Sequence, residues 1–357
     1  MIQLCGMTPE QLTGYMVDKG QSAFRGDQLS KWVWAGADIG QMSNLPAALR
    51  EQMRREAVAN PVQICQERVS QLDGTRKFLF QLMDGNLVEG VLMRYKYGYT
   101  LCLSTQVGCR MGCAFCASTL EGCARNLTAG EMAGQVLLAN RVLQGEGARV
   151  GNLVLMGSGE PFDNYQNVVD FLRLITHPQG LNLSVRGISL STCGLVEKMD
   201  RFAGEGIPVT LSLSLHAPND AIRRRIMPVA RAYSMEDTLA ALSRYIGRTG
   251  RRGVIEYALI REINCRREHA AELASRLRGM RCHVNLIPLN RVAERGLDAP
   301  SRKQVEEFME ELERRHISVT RRREMGADIQ GACGQLRRRF LAEAGRQAGD
   351  EGTEKPE

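Results

Sequence analysis

The stretch that decides the fold is residues 100–127, TLCLSTQVGCRMGCAFCASTLEGCARNL, a short apolar run followed by a glycine-rich loop. Cys109, Cys113 and Cys116 lie in this loop at C-x3-C-x2-C spacing, so their thiolates can reach one metal site. Three cysteines leave one iron of a four-iron cluster open. An open iron can chelate the amino and carboxylate groups of S-adenosylmethionine. The spacing therefore predicts one 4Fe-4S cluster per chain.

Other interpretations of the cysteine loop stay open on the residues alone. Zinc usually needs four closed ligands in paired Cys or Cys/His arrangements, and none of the five histidines lies in this loop. A chance group of buried thiols is the other alternative. Such thiols rarely fall in glycine-rich loops, and here Gly108 and Gly112 alternate with the cysteines. A zinc site and a simple electron-transfer cluster remain as competing hypotheses.

Downstream of the loop, apolar β-rich runs alternate with helical segments. Together with the run before the loop they cover 100–104, 152–156, 187–191, 209–214, 254–260, 283–287 and, more briefly, 317–320. Such alternation predicts an α/β fold with a parallel sheet, open or closed into a barrel. In these folds the carboxyl ends of the strands carry the chemistry. We expect this unit to span residues 99–340.

The residues before the loop predict a small helical unit over 1–60. Thr8 is placed as an N-cap with Pro9 at the first helical position. Further helices are predicted at 24–34 and 45–57. Exposed basic residues suit an accessory domain that binds nucleic acid, whereas a packing or oligomerisation domain is the alternative from sequence alone.

Residues 61–98 predict a β-hairpin extension that links the helical unit to the parallel sheet. Asp-Gly pairs at 73–74 and 84–85 are hairpin turn signals between β-like runs. At the other end of the chain, residues 341–357 are polar and predict a disordered tail.

Composition limits the class of protein. The chain has 357 residues, of which 43% are hydrophobic and 24% charged, and no apolar run is long enough to span a bilayer. We expect a cytoplasmic protein with no membrane partner. Eleven cysteines in a reducing compartment indicate metal binding or redox catalysis rather than structural disulfides. The net charge of +7, carried mostly by arginine, suits a nucleic-acid partner, although a bias in codon usage gives the same ratio.

The cysteine loop resembles that of the radical S-adenosylmethionine superfamily. The chain as far as about Arg339 resembles the RlmN/Cfr family within it, whose RlmN-type members methylate C2 of adenine in 23S rRNA and tRNA. Five separated motifs carry the resemblance beyond the cysteines: GSGEP at 157–161, SLSTCG at 189–194, SLSLH at 212–216, NLIPLN at 285–290 and GADIQGACGQL at 326–336. The resemblance implies a partial (β/α)6 radical-SAM barrel with a helical N-terminal accessory domain.

The resemblance also implies a binding site for S-adenosyl-L-methionine at the strand ends, with two molecules used per turnover. The cofactor-binding positions that match are Gly159, Glu160, Ser191, Ser214, Leu215, His216 and Asn290. Glu160 supplies a carboxylate near the amino group of the cofactor, and Asn290 matches an adenosyl-binding position.

Three catalytic residues follow from the same resemblance. Cys333 takes a methyl group from one S-adenosylmethionine, and a radical derived from the second abstracts hydrogen from that S-methyl group. The methylene radical adds to the adenine and crosslinks RNA to protein. Glu89 is the candidate base for the ring proton, acting together with Cys102. Cys102 then attacks the Cys333 sulfur, which releases methyladenine and leaves a disulfide.

The implied function is methylation of C2 of an adenosine in 23S rRNA at the peptidyl transferase centre, and of an adenosine in the tRNA anticodon loop. The implied partners are 23S rRNA, tRNA, an external one-electron donor and a disulfide reductant, and we expect a monomer. Arginine runs at 321–323 and 337–339 flank Cys333 and suit phosphate contacts, although most charge runs are only solvated surfaces.

Two rival functions remain. A Cfr-like enzyme would methylate C8 of the rRNA adenosine with the same machinery. Pro161 and Pro288 favour the C2 group, because the C8 group tends to lack both prolines. A non-catalytic iron–sulfur or zinc protein that only binds RNA is the rival from another class. Such a binder would need neither Cys102 nor Cys333.

Overall fold

The structure, a computed structural model, describes residues 1–290 and 292–329. In chain order the strands are β1 (Ile2–Gln3), β2 (Ala57–Val58), β3 (Val62–Val69), β4 (Arg76–Leu82), β5 (Leu87–Tyr95), β6 (Gly98–Cys102), β7 (Gln106–Gly108), β8 (Cys123–Asn126), β9 (Val150–Leu155), β10 (Ile188–Thr192), β11 (Thr210–Ser214), β12 (Gly253–Leu259), β13 (Cys282–Pro288) and β14 (Val319–Arg321). The α-helices are α1 (Pro9–Asp18), α2 (Phe24–Trp34), α3 (Ala47–Glu56), α4 (Ala129–Leu143), α5 (Tyr165–Thr176), α6 (Val196–Ala203), α7 (Asp220–Ile226), α8 (Met235–Thr249), α9 (Arg267–Arg276) and α10 (Arg302–Arg314). The predicted catalytic Cys333 and the predicted disordered tail at 341–357 lie outside the described residues.

The main sheet confirms the predicted α/β fold. Within the described residues it has ten strands in the order β14-β13-β12-β11-β10-β9-β6-β5-β4-β3. The strands from β14 to β6 pair in parallel, and helices connect most of them. Strands β5, β4 and β3 extend this partial barrel in antiparallel fashion. The carboxyl ends of the parallel strands therefore lie along one edge, where the predicted motifs follow them.

The parallel strands carry an apolar and a polar face. Leu153, Leu190 and Leu211 are fully buried in the core. Serines occupy the alternating positions of β10 and β11, and Ser189 Oγ lies 3.1 Å from Ser212 Oγ across the two strands. Because side chains alternate along a strand, the leucines pack under the helices while the serines face the opposite side.

The connecting helices pack on the sheet through one apolar stripe. In α5, Val168, Phe171 and Ile175 are buried at three- and four-residue spacing, as an amphipathic helix requires. Within residues 1–290 and 292–329, no helix is long and apolar enough to cross a membrane.

The N-terminal helices form as predicted and pack against the barrel. Thr8 caps α1: its hydroxyl accepts a hydrogen bond from Gln11 N at 3.3 Å, and the Gln11 side chain accepts one from Thr8 N at 2.8 Å. Leu12, Leu29 and Met53 from α1, α2 and α3 join the same buried cluster as the leucines of the barrel. The helices therefore share a continuous core with the sheet, and the division at residue 60 stays a prediction.

The strands β3, β4 and β5 are connected by turns at the two predicted Asp-Gly pairs. Asp73 accepts a hydrogen bond from Thr75 N at 2.9 Å, and Asp84 accepts one from Asn86 N at 3.0 Å. These side-chain bonds close the turns. The hairpins widen the main sheet beside β6 and bring β5 next to the strand that leads into the cysteine loop.

Candidate active site

The cysteine loop follows β6 and is closed at its base by the short antiparallel pair β7–β8. Cys109 N donates to Gly122 O at 2.7 Å, and Thr119 Oγ1 donates to Cys116 O at 3.0 Å. Cys109 and Cys113 are buried, and Cys116 is half-buried. The backbone thus holds the three predicted ligands in one compact loop at the carboxyl end of the first parallel strand.

Burial controls the protonation of these thiols. It raises the pKa of Cys109 to about 12 and raises the pKa of Cys113 as well. A cysteine binds metal as a thiolate, so metal binding and loss of the proton occur together. Within the described part of the chain, no group of three or more His, Cys, Asp or Glu side chains is placed to hold a metal ion. The argument that this loop fits an iron–sulfur cluster therefore rests on two features. These are the three cysteine thiols themselves and a positively charged side chain nearby.

That charge belongs to Arg223 in α7, which sequence reasoning missed. Its side chain is fully buried, and Nη2 donates to Cys193 O at 2.7 Å. Among residues 1–290 and 292–329, Arg223 forms no ion pair with a carboxylate and its Nε has no hydrogen-bond partner. Its charge is close enough to Cys113 to oppose the rise in pKa that burial causes there. A buried cation beside Cys113, one of the three proposed cluster ligands, suits an anionic cluster.

The loop after β9 requires glycine at position 159. Gly159 has φ +115°, and a Cβ there would come within 2.6 Å of Thr105 Oγ1. The next residue, Glu160, is buried and accepts hydrogen bonds from Phe162 N at 3.0 Å and Cys193 N at 2.7 Å. Burial raises the pKa of Glu160. Glu160 thus ties this loop to the end of β10, and its contact with S-adenosylmethionine stays a prediction.

The ends of β10 and β11 carry the next predicted residues. Ser191 Oγ lies 3.0 Å from Ser214 Oγ, and both side chains are half-buried. Leu215 is buried, and His216 has φ +56°, an uncommon conformation outside glycine. His216 Nδ1 accepts a hydrogen bond from Ala258 N at 2.9 Å, and burial lowers the pKa of His216 to about 3. The imidazole is therefore neutral, with Nε2–H left as its donor.

Phe115 connects the cysteine loop to the end of β11. Its ring centroid lies 4.8 Å from that of His216, in an edge-on arrangement. Together with the Glu160–Cys193 bond, this contact brings the cysteine loop and the ends of β9, β10 and β11 to one place. Asn290 is different, because it is exposed two residues beyond β13.

Glu89 and Cys102 lie on the neighbouring antiparallel strands β5 and β6. Cys102 pairs directly with Val91, so Glu89, two residues before Val91, points to the same face. Both side chains are buried, and Cys102 packs with Met93 and Met156. The register therefore brings the two predicted catalytic residues to one interior face beside the end of β9.

Lys77 of β4 joins this face and was also missed. Its Nζ lies 3.1 Å from Glu89 Oε2, and the two side chains are 0% and 4% exposed. A lysine in the run RKFLFQL was the available signal, because a charged side chain inside a buried strand needs a partner.

Glu256 of β12 is a third charged residue that sequence reasoning missed. It is the parallel neighbour of Ser214, and its Oε2 accepts a hydrogen bond from Asn285 Nδ2 at 2.8 Å. Burial raises the pKa of Glu256. A glutamate in an otherwise apolar strand was the available signal, because such a side chain must face a polar part of the interior.

Two family models match this chain. The model described as Radical SAM superfamily matches residues 103–274, which include the cysteine loop and β9 to β12. The model described as Ribosomal RNA large subunit methyltransferase N-terminal domain matches residues 2–59, which contain α1 to α3.

Several proteins resemble the chain over nearly its whole length. A Clostridium tetani protein named probable dual-specificity RNA methyltransferase RlmN is 45% identical over 342 residues, which are 96% of this chain and 97% of that protein. A protein of the same name from Clostridium beijerinckii is 46% identical and covers 96% of each chain. A crystal structure of a radical SAM methyltransferase from Sphaerobacter thermophilus superposes with a TM-score of 0.91 at 40% identity, covering 94% of this chain and 99% of that one.

Proposed function

The chain belongs to the radical S-adenosylmethionine superfamily and, within it, to the RlmN family of RNA methyltransferases, and from that premise we propose that it methylates C2 of adenosine in RNA. The proposed targets are an adenosine of 23S rRNA at the peptidyl transferase centre and an adenosine of the tRNA anticodon loop. The observation that carries the proposal is that Glu89 and Cys102 share a buried face beside the cysteine loop and the end of β9. A protein that only binds RNA needs no such pair.

The proposed cofactors are one 4Fe-4S cluster per chain and two molecules of S-adenosylmethionine per turnover. Cys109, Cys113 and Cys116 would hold the cluster. The residues that would hold S-adenosylmethionine are Gly159, Glu160, Ser191, Ser214, Leu215, His216 and Asn290. When bound, these groups supply the methyl group and an adenosyl radical.

The residues of the chain itself perform the remaining chemistry in this proposal. Cys333 carries the methyl group as S-methylcysteine, through which its sulfur becomes linked to the adenine. Glu89 accepts the C2 proton, and burial holds its carboxylate away from water, beside Lys77. After the adduct has passed its unpaired electron to the oxidised form of an external one-electron carrier, the Cys102 thiolate attacks the Cys333 sulfur and breaks the bond between that sulfur and the methylene carbon. The carbon takes up a proton to become the methyl group of methyladenine, and a Cys102–Cys333 disulfide remains. A disulfide reductant and an external electron donor then return the enzyme to its starting state. We propose that the enzyme acts as a cytoplasmic monomer.

Methylation at C8 by a Cfr-like route is the second candidate. Pro161 follows Glu160 directly and Pro288 ends β13, so both prolines that favour the C2 group belong to the loops of the proposed site. These two positions support C2 over C8.

The decisive experiment is anaerobic reconstitution of the full chain, followed by reaction with 23S rRNA and tRNA fragments. Mass spectrometry of the digested nucleosides should detect 2-methyladenosine in both RNAs, and 5′-deoxyadenosine should form alongside it. Methylation at C8 alone would overturn the C2 assignment. A reconstituted and reduced protein that never produces 5′-deoxyadenosine would support the non-catalytic RNA binder instead.

A further inference from the structure

Arg223 is a buried cation whose polar contacts in the described structure are all neutral. The side chain is 0% exposed, while the adjacent Arg224 and Arg225 on the same helix are exposed. Nη2 donates to Cys193 O at 2.7 Å and Nη1 donates to Tyr233 O at 3.4 Å. Carbonyl oxygens satisfy part of the hydrogen bonding of a guanidinium, but they do not neutralise its charge.

A carboxylate would be the usual partner for such a charge. Asp220, at the start of the same helix, interacts electrostatically with Arg223 but forms no ion pair with it in residues 1–290 and 292–329. Its Oδ1 accepts a hydrogen bond from Met235 N at 2.9 Å instead. A buried ion that lacks a counter-charge costs several kcal/mol, so the fold would be expected to provide one.

The cysteine loop packs on the helix that carries Arg223. Ala114 N donates to Ile226 O at 2.8 Å, which fixes the loop to the end of α7. Cys113, Cys193 and Ile226 belong to one buried cluster. The positive charge of Arg223 therefore lies beside the loop, in a region from which water is excluded.

We propose that Arg223 is the fixed counter-charge of the iron–sulfur cluster held by Cys109, Cys113 and Cys116, and that it favours the reduced form of this cluster. The proposal rests on the proposed cluster. A four-iron cluster with three thiolate ligands is anionic, and reduction by one electron makes it more negative. A buried cation interacts more favourably with the more negative state, so it raises the reduction potential. Arg223 acts as a positioning residue, because it tunes the cluster without reacting.

The test compares Arg223→Gln, Arg223→Lys and the exposed control Arg225→Gln in the full chain after anaerobic reconstitution. Iron per chain is measured, and the midpoint potential is determined by a redox titration followed by electron paramagnetic resonance. Arg223→Gln should lower the equilibrium constant for reduction at least ~10-fold, a shift of ~59 mV to more negative potential for one electron. Arg223→Lys should retain most of the potential, and Arg225→Gln should match the unsubstituted protein.

An unchanged midpoint in an iron-loaded Arg223→Gln protein would overturn the proposal. If the Arg223→Gln protein loses iron, the Arg223→Lys protein provides the test. A lysine variant that keeps both its iron and its midpoint potential supports a counter-charge, whereas loss of iron from both variants refutes the proposal. If the unsubstituted protein assembles no four-iron cluster, the proposed function itself fails. That outcome is distinct from any effect of Arg223.

Discussion

Lys77 Nζ lies 3.1 Å from Glu89 Oε2, and neither side chain is more than 4% exposed. The antiparallel register of β4 and β5 produces this pair, because Lys77 lies opposite Val91 and therefore diagonally from Glu89 on the same face. The face also contains Cys102. The ammonium group of Lys77 compensates the charge of the Glu89 carboxylate, which is buried away from water. Glu89 is proposed to remove a proton from this position.

Replacing Lys77 should affect stability and catalysis together. Lys77→Met removes the ammonium group that lies beside the buried Glu89 carboxylate, so the free energy of unfolding should fall by ~3–5 kcal/mol. Product release from the RNA adduct should also slow, since the proposed base has lost its partner. Denaturant unfolding and single-turnover formation of methyladenosine measure the two effects.

Three further variants separate the charge pair from simple loss of packing. Lys77→Arg keeps the positive charge and should restore part of the activity. The double substitution Lys77→Met with Glu89→Gln should recover stability but not methylation. Arg76→Gln, which removes two partly exposed ion pairs, with Glu67 and Glu146, should cost only ~1–2 kcal/mol. Full stability and full activity in Lys77→Met would show that the pair has no role.

The role proposed for Cys102 predicts a trapped intermediate. In Cys102→Ala no thiolate can attack the Cys333 sulfur, so a covalent RNA–protein adduct should accumulate and methylated product should fall at least ~100-fold. Denaturing gels and mass spectrometry of the adduct measure this. Cys65→Ala, at an exposed cysteine of β3, is the control and should turn over normally. Recovery of only free, unmodified RNA with Cys102→Ala would refute the two-thiol scheme.

The strands and the cysteine loop could be predicted from sequence because their signals are local. Hydrophobic alternation and Asp-Gly turns depend on neighbours a few residues away. The run Arg223–Arg225 shows where such signals fail. Most runs of charged residues are solvated surfaces, yet Arg223 is buried while Arg225 is exposed. Successive helical residues point in different directions, and the packing of α7 buries one of them.

Pairs that form across the sheet are similarly absent from the local pattern. Lys77 and Glu89 are twelve positions apart in sequence, and their contact depends on the register of two strands. A register shifted by one residue would place one of the two side chains on the opposite face. The sequence could therefore indicate Glu89 only through resemblance to a family. A lysine inside an apolar run could show that Lys77 needs a partner, but not that the partner is Glu89.

The β3–β4 turn holds the segment that leads to Cys333, and this contact should matter for catalysis. Asp328 accepts hydrogen bonds from Ser70 Oγ at 2.6 Å and from Gln71 N at 2.8 Å. Cys333 follows five residues later in the sequence. Loss of these charge-assisted bonds in Asp328→Ala should slow methylation of Cys333 by ~10-fold, corresponding to ~1.4 kcal/mol. Mass spectrometry of the fraction of S-methylated Cys333 over time measures the effect.

Two comparisons test whether this anchoring is specific. Asp298→Ala, which removes an exposed carboxylate near Arg261, should leave the rate of Cys333 methylation unchanged. Ser70→Ala removes one of the two bonds and should give a smaller decrease than Asp328→Ala. Equal rates in Asp328→Ala and Asp298→Ala would show that the turn does not position the segment.

The same turn predicts how stability responds to acid. Asp73 Oδ2 accepts a hydrogen bond from Gly326 N at 2.9 Å. Although burial alone would raise the pKa of Asp73, the hydrogen bonds from Gly326 and Thr75 lower it to about 2. A carboxyl group whose pKa is lower in the folded state stabilises the fold at pH values above its unfolded pKa, ~3.9. That contribution is lost as the pH falls through about 2, so urea unfolding should show stability decreasing between pH ~3.9 and pH ~2.

The variant Asp73→Asn tests this assignment. It should be less stable than the unsubstituted protein at pH 7 and should lose less stability on acidification. An acid dependence identical to that of the unsubstituted protein would contradict the assignment.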